Sequence, residues 1–377
     1  MTSVLFLMPH WGRPSNLFLV RQIRMLRDAG VLYGVAVINT EGLTNWNGVP
    51  LYSLTDQSQA RRIYWDIRRR LGVPAHPPTQ ADQLRKLIRS SRVDTILCQY
   101  GTFAVKLLPA LIETSARVFI HVHGYDTTPS MCPPDYPSDL LRLSERATII
   151  CNSRETRGRL LSMGIPADRL VVKYCGVEVP DAPMQRPSGS EITILHLGRL
   201  IDCKSPDRTI QAFELASDRG LQGKLIIAGD GPLRVTCELL RARSKWKDRI
   251  EILGAVSGEQ GASLLRSADI LTLHSIRGEL TGQIEAFGVA LVEAMAATLP
   301  VASCRIGGIP EVVVDGETGI LVEPGDVEAQ AEALLQLANN PSLRYEMGKA
   351  GWRRAKELFT VEAEQEALLA VLQGKQH

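Results

Sequence analysis

Two glutamates, Glu285 and Glu293, are separated by seven residues within TGQIEAFGVALVEAMAATL (Thr281–Leu299), where a polar loop gives way to an Ala/Leu/Met-rich run at Gly288. A glycine at that junction marks a helix start, which leaves the backbone N–H groups of Gly288 and Val289 as unpaired donors. Such an end attracts anions. The spacing puts Glu285 in the loop beside the anion, with Phe287 between them in sequence, and Glu293 about one and a half turns into the helix. Two hydroxyl-binding carboxylates flanking an anion site suit a sugar diphosphate; the competing reading is a pair of solvated surface glutamates.

Further candidates follow apolar runs. GRLIDCKS, after Ile192–Leu197, sets Gly198, Arg199 and Lys204 on one loop, and two cations there could clamp a diphosphate. IAGDGP (Ile227–Pro232) reads as a tight turn, GGIPE (Gly307–Glu311) as a structural turn, and LGAVSGEQ as a loop whose backbone at Val256 could face a nucleobase. In HVHGYD (His121–Asp126), His123 could reach a reacting sugar or be an ordinary turn histidine. Asp126 could bind acceptor hydroxyls or cap the next turn. No G-x-G-x-x-G follows a strand and no Walker lysine motif occurs, so dinucleotide and P-loop chemistries lose their main support.

These loops need strands behind them. Apolar runs at Val4–Pro9, Val35–Ile38, Thr95–Cys98, Val118–Val122, Thr148–Cys151 and Leu170–Tyr174 are mostly separated by helical stretches. The pattern restarts after VPDAPMQRPSGS (179–190), an interdomain linker, with Ile192–Leu197, Lys224–Ala228, Ile250–Leu253, Ile270–His274, Val301–Cys304 and Ile320–Val322. Alternation of this kind predicts an α/β protein of two Rossmann-like, doubly wound domains facing a central cleft, with ligands at the carboxyl ends of the strands. The expected domains are residues 1–180 and 181–360, and the stretch 361–377 could carry a last helix back to the first domain.

At 377 residues the chain suits two cores. Up to Asp181 it has 22 basic against 15 acidic side chains, and beyond it 21 against 26, so the first half is the better partner for an anionic acceptor or membrane. Arg61–Arg70 and Leu84–Arg92 are basic with partly helical apolar spacing, which fits either a weak peripheral membrane contact or a solvated face. The seven cysteines are scattered without a C-x-x-C pair, arguing against zinc and a disulfide framework. The run Val4–Met8 is too short for a signal peptide and none approaches transmembrane length. A cytoplasmic protein is expected, at most peripheral at the inner membrane face.

Glu-x7-Glu together with HLGRL and Lys204, AGDGP, GGIPE, DGETGILVEPGD and the upstream HGYD, in this order, resembles family four of the retaining glycosyltransferases, which have the GT-B fold. HWGRPSN and RGELTGQIEAFG are similar to bacterial exopolysaccharide and lipopolysaccharide enzymes. The resemblance implies transfer of a sugar from a UDP- or GDP-linked donor to a hydroxyl of a glycan, lipid-linked or small-molecule acceptor, with retention, in cell-surface polysaccharide synthesis. It implies that Arg199 and Lys204 hold the diphosphate and Glu293 the ribose. Glu285, with the backbone of Phe287, Gly288 and Val289, would meet the transferred sugar and phosphate. His123 would lie near the forming oxocarbenium ion, making His123 and Glu285 the catalytic candidates, and Val256 would present backbone to the base. Many members have a Gly-Gly pair in the first loop where this chain has only Gly12, so Gly12 and Ser15 are candidates for either donor or acceptor contact. No metal, cofactor or nucleic acid is expected; the sequence has no Asp-x-Asp. The alternatives are a non-catalytic sugar-nucleotide-binding partner subunit and a GT-B sugar-nucleotide epimerase.

Overall fold

The computed structural model describes residues 2–11, 17–55, 78–128, 131–185 and 191–375. Gly12, Ser15, the Arg61–Arg70 stretch and the end of the 179–190 segment lie outside the described residues. The first sheet is built on β1 (Val4–Met8), buried along its whole length as a continuous apolar run must be when both faces are covered. Around it lie β2 (Leu32–Val37), β3 (Asn45–Trp46), β4 (Val49–Ser53), β5 (Thr95–Gln99), β6 (Arg117–His121), β7 (Ala147–Cys151) and β8 (Leu170–Val172). Their order is β3-β4-β2-β1-β5-β6-β7-β8, parallel except for the β3–β4 pair. The second sheet contains β9 (Ile192–Leu197), β10 (Gly223–Ala228), β11 (Ile250–Gly254), β12 (Ile270–Leu273), β13 (Val301–Cys304) and β14 (Gly319–Val322). Its order is β11-β10-β9-β12-β13-β14, and its pairs are parallel.

The doubly wound α/β architecture read from the apolar runs is therefore the one observed. The β3–β4 hairpin was not among those runs. Its turn puts Asn47 and Gly48 at φ 48° and 83°, the conformation that Asn-Gly favours in a two-residue hairpin, so the dipeptide was its signal.

Strand order reverses between β1 and β5 in the first sheet and between β9 and β12 in the second. A crevice opens at the carboxyl ends on either side of such a reversal. The loops that leave β9 and β12 carry Arg199, Lys204 and Glu285, and those beyond β5 and β6 carry Tyr100 and His123.

The chain crosses between the sheets twice, side by side. The Val177 N–H donates to the Phe359 carbonyl at 2.8 Å and the Val361 N–H to the Val177 carbonyl at 3.2 Å. Glycine is required at 176, where a Cβ would meet the Thr360 carbonyl oxygen at 2.2 Å. Thr360 then caps the helix Val361–Leu372 by accepting from the Ala363 N–H. Leu368, Val371 and Leu372 of this helix pack with Val4, Phe6, Phe119 and Ile150 in the core of the first sheet. Among the described residues no helix is long and apolar enough to cross a membrane.

Candidate active site

The floor of the second domain is two interlocked turns. The Gly198 N–H donates to the Ala228 carbonyl (3.0 Å) and the Leu200 N–H to that of Asp230 (2.9 Å). A Cβ on Gly229 would stand 1.8 Å from the Gly198 carbonyl oxygen, which explains a glycine in AGDGP. The AGDGP turn thus positions Gly198 and Arg199 at the end of β9. Asp202, which the sequence reading passed over, ties this turn to the loop after β12: it accepts from the N–H groups of Leu280 (3.0 Å) and Thr281 (2.8 Å) and from the Thr281 hydroxyl. Its place between Arg199 and Lys204 in GRLIDCKS was the available clue.

The tie brings Lys204 to Glu285, with Nζ 2.5 Å from Oε2 and both side chains mostly covered. Burial pushes the Glu285 carboxyl up, but Lys204, the Phe287 N–H and the charge of Arg199 outweigh it, so Glu285 stays ionised below the usual range. Arg199 itself is exposed. Behind Glu285 stands the GGIPE segment. The Gly308 N–H donates to the Glu285 carbonyl at 3.0 Å, and a Cβ on Gly307 or Gly308 would strike the Glu285 or Ala286 carbonyl oxygen at 1.9 or 2.2 Å. The paired glycines are a turn, as read, and they set the loop that carries Glu285.

Gly288, at φ 94°, is the first residue outside the helix Val289–Ala296. Among the described residues nothing accepts from the Gly288 or Val289 N–H, so both remain donors at the helix end. Phe287 contributes only backbone there: its ring is buried and stacks on Tyr174 at 5.5 Å. Glu293 is half-buried; desolvation pushes its carboxyl up against the pull of Arg21 and Lys204. Val256, half-buried between β11 and the helix Gly258–Ser267, packs on the core that includes Phe287 and Leu291.

Facing them in the first domain is the turn after β6. His123 is neutral because burial, with the Lys173 charge, pushes it down to about 3 against the opposing Glu364. Its ring is surrounded by those of Phe18 (5.1 Å), Tyr100 (4.7 Å) and His121 (4.6 Å). Asp126 needs correction as an acceptor candidate. It is fully buried, with Oδ1 accepting from the Thr102 N–H and hydroxyl and Oδ2 from the His123 N–H, each at 2.9 Å. The carboxylate fastens the HGYD turn to the helix Gly101–Lys106 and is closed to an acceptor. Burial raises its pKa, opposed by the Thr102 and His123 N–H bonds.

Glu311 joins the domains in a way the turn reading of GGIPE did not foresee. Its oxygens accept from the N–H groups of Arg154 (2.8 Å) and Glu155 (2.9 Å) at the start of the helix Arg154–Ser162, and from the Tyr174 hydroxyl (3.1 Å). A carboxylate at a helix N-terminus is favourable there. Of the candidates, Gly198, Arg199, Lys204, Glu285, Phe287, Gly288 and Val289 share one face of the second domain. The His123 turn meets it through Gly124, and Val256 and Glu293 flank it. No three His, Cys, Asp or Glu side chains form a metal site among the described residues.

Two doubly wound domains that face each other with the carboxyl ends of their sheets define the GT-B architecture. HepE of Anabaena, in complex with UDP, superposes with a TM-score of 0.80 over 99% of this chain and 100% of its own at 19% identity, a likeness of fold. Residues 182–354 match the model for group 1 glycosyl transferases and residues 50–180 that for glycosyltransferase family 4. The chain belongs to this family of glycosyltransferases. The GDP-mannose-dependent alpha-(1-6)-phosphatidylinositol monomannoside mannosyltransferase of Mycolicibacterium smegmatis is 27% identical over 84% of this chain and 86% of its own. The amylovoran biosynthesis glycosyltransferase AmsK of Erwinia amylovora is 29% identical over 63% of this chain and 59% of its own.

Proposed function

We propose that this glycosyltransferase moves a sugar from a UDP- or GDP-linked donor to a hydroxyl of a glycan or lipid-linked acceptor in cell-surface polysaccharide synthesis, with retention and without a metal. The Lys204–Glu285 pair, 2.5 Å long and next to the N–H groups of Gly288 and Val289, which have no acceptor among the described residues, carries the reading. One N–H of Lys204 goes to Glu285, which leaves two for a diphosphate. In the reaction the bond from the anomeric carbon to the diphosphate oxygen breaks, and the electron pair leaves with the diphosphate. The acceptor oxygen forms the new bond on the same face, and its proton passes to the departing phosphate oxygen. Charge on that leaving group is met by Arg199, Lys204 and the helix end, which stabilise the transition state more than the ground state. This is the charge a divalent ion would otherwise meet. Glu293 binds the ribose and Val256 the base. A neutral His123 adds no repulsion to the positive charge developing on the sugar.

The test is a panel of nucleotide sugars scored by thermal shift, followed by product analysis with the accepted donor in EDTA. Stabilisation by one UDP- or GDP-sugar and a product of retained anomeric configuration are expected. An inverted product, or loss of turnover in EDTA restored by Mg²⁺, would overturn the mechanism. The same reading includes a weak membrane contact through the helix Gln80–Arg89, where Lys86 and Arg89 are exposed beyond the buried Leu84. Co-sedimentation that is indifferent to anionic lipid would remove it.

A further inference from the structure

Behind His123 runs a chain of buried polar side chains that ends on the last helix. Glu364, in the first turn of Val361–Leu372, is 4% exposed, and Lys173, just past β8, is 2% exposed. Lys173 Nζ donates to Glu364 Oε1 at 2.5 Å and the Gly176 N–H to Oε2 at 2.9 Å. Gln22, on the helix Leu17–Asp28, donates through Nε2 to Glu364 Oε1 at 2.8 Å. Gln99, closing β5, donates through Nε2 to Gln22 Oε1 at 3.1 Å, and its own Oε1 lies 3.1 Å from His123 Nε2. Both glutamines are fully buried, where an unmatched polar atom is costly.

The direction of every bond in this chain is set from its far end. An ionised carboxylate only accepts, so Gln22 must turn its amide nitrogen to Glu364 and its oxygen to Gln99. Gln99 must then turn its nitrogen to Gln22 and its oxygen to His123. Flipping either amide would bring two acceptors face to face. Glu364 is kept ionised: burial pushes it up, but Lys173, the Gly176 N–H and Gln22 outweigh that and hold it below the usual carboxylate range.

We infer that Glu364 fixes the tautomer of His123, with the proton on Nε2 and the lone pair on Nδ1, acting through Gln22 and Gln99 as positioning residues. The C-terminal helix is then part of the active site although it touches no substrate. That the tautomer matters to transfer rests on the reading of His123 given above; the tautomer itself does not.

The experiment uses the full chain labelled with ¹⁵N-histidine and long-range ¹H–¹⁵N correlation spectra, with His123 assigned by its loss in His123→Asn. The wild type is expected to show Nε2 protonated and Nδ1 bare. Gln99→Leu and Gln22→Leu leave the Lys173–Glu364 pair intact and should give mixed tautomers. Replacing the whole pair, Lys173→Met with Glu364→Gln, avoids a lone buried charge and should do the same, because an amide at 364 can present either end. A wild-type His123 protonated on Nδ1, or a Gln99→Leu spectrum identical to wild type, overturns the inference. By analogy with outer partners of ligand histidines, the leucine variants should lose on the order of tenfold in kcat with donor KM unchanged. Shifted tautomers with unchanged kcat would leave the relay standing and strike out His123 from the transfer mechanism.

Discussion

A Cβ built on Gly124 would stand 3.2 Å from the Cβ of Ala286, so the turn that carries His123 touches the loop that carries Glu285 across the domain boundary. Each domain holds half of the candidate site. At this contact the approach of the halves depends on a residue without a side chain. Gly124→Val should force the loops apart without backbone strain. A displacement near 1 Å costs about a hundredfold in a positioned reaction, so kcat should fall steeply while donor binding, which we propose rests mainly on Arg199, Lys204, Glu285 and Glu293 of the second domain, persists. Steady-state kinetics beside a donor thermal shift will check this; a variant with wild-type kcat would show that the contact does not set the geometry.

Lys204→Ala removes the cation nearest Glu285. A loss of about a hundredfold in kcat is expected, by comparison with other lost donors to transition-state charge. Glu285 would also lose the main partner that offsets its burial, and its pKa should rise. Near-wild-type turnover in the variant would rule out the clamp, whatever happened to stability.

Much of this was legible in the sequence because the signals were local. Continuous apolar runs announced the strands, and they delimit the loops that carry Lys204 and Glu285 and the helix end at Gly288. Asp126 shows the limit. Its spacing from His123 fits a cap of the next turn or an acceptor ligand equally, and only the approach of Thr102, 24 residues earlier, shows that it instead fastens its own turn to the helix Gly101–Lys106. The partners of Glu364 and Glu311 are more distant still, with Gln22 342 residues from Glu364 and Arg154 157 residues from Glu311. A charged residue amid helix or turn sequence gives no hint of a buried partner on the other domain.

Stability should fall with acid earlier than carboxylates alone would cause. His121, His196 and His274 are buried. Desolvation, with the charge of Lys204, pushes His196 down to about 3. Desolvation, with that of Arg208, takes His274 to about 4. Desolvation, with Lys173 and His123, holds His121 well below its usual value. In the unfolded chain each titrates near 6.5. Between that value and the folded ones the unfolded chain binds more protons, so this stability is whole above pH 6.5 and is lost as the pH falls. Each group contributes at most about 1.4 kcal/mol per pH unit in that window. Urea midpoints should therefore decline from pH 7 to 5, and less steeply in His196→Asn. Midpoints constant over that range would mean that the histidines are charged in the folded protein.

Glu311 offers the last test, because its carboxylate caps a helix of the other domain. Ser153 already caps that helix by accepting from the Thr156 N–H, so Glu311 serves the Arg154 and Glu155 N–H groups that Ser153 does not reach. Loss of a capping acceptor costs about 0.5–2 kcal/mol, and Glu311→Ala also removes the acceptor of the Tyr174 hydroxyl. A lower urea midpoint is expected. Because the backbone contacts of Gly307 and Gly308 with the Glu285 loop are untouched, kcat at saturating donor should hold. Glu311→Gln keeps one acceptor and should fall between the alanine variant and wild type. If alanine leaves the midpoint where it was, the bonds between Glu311 and the first domain contribute nothing to holding the halves together.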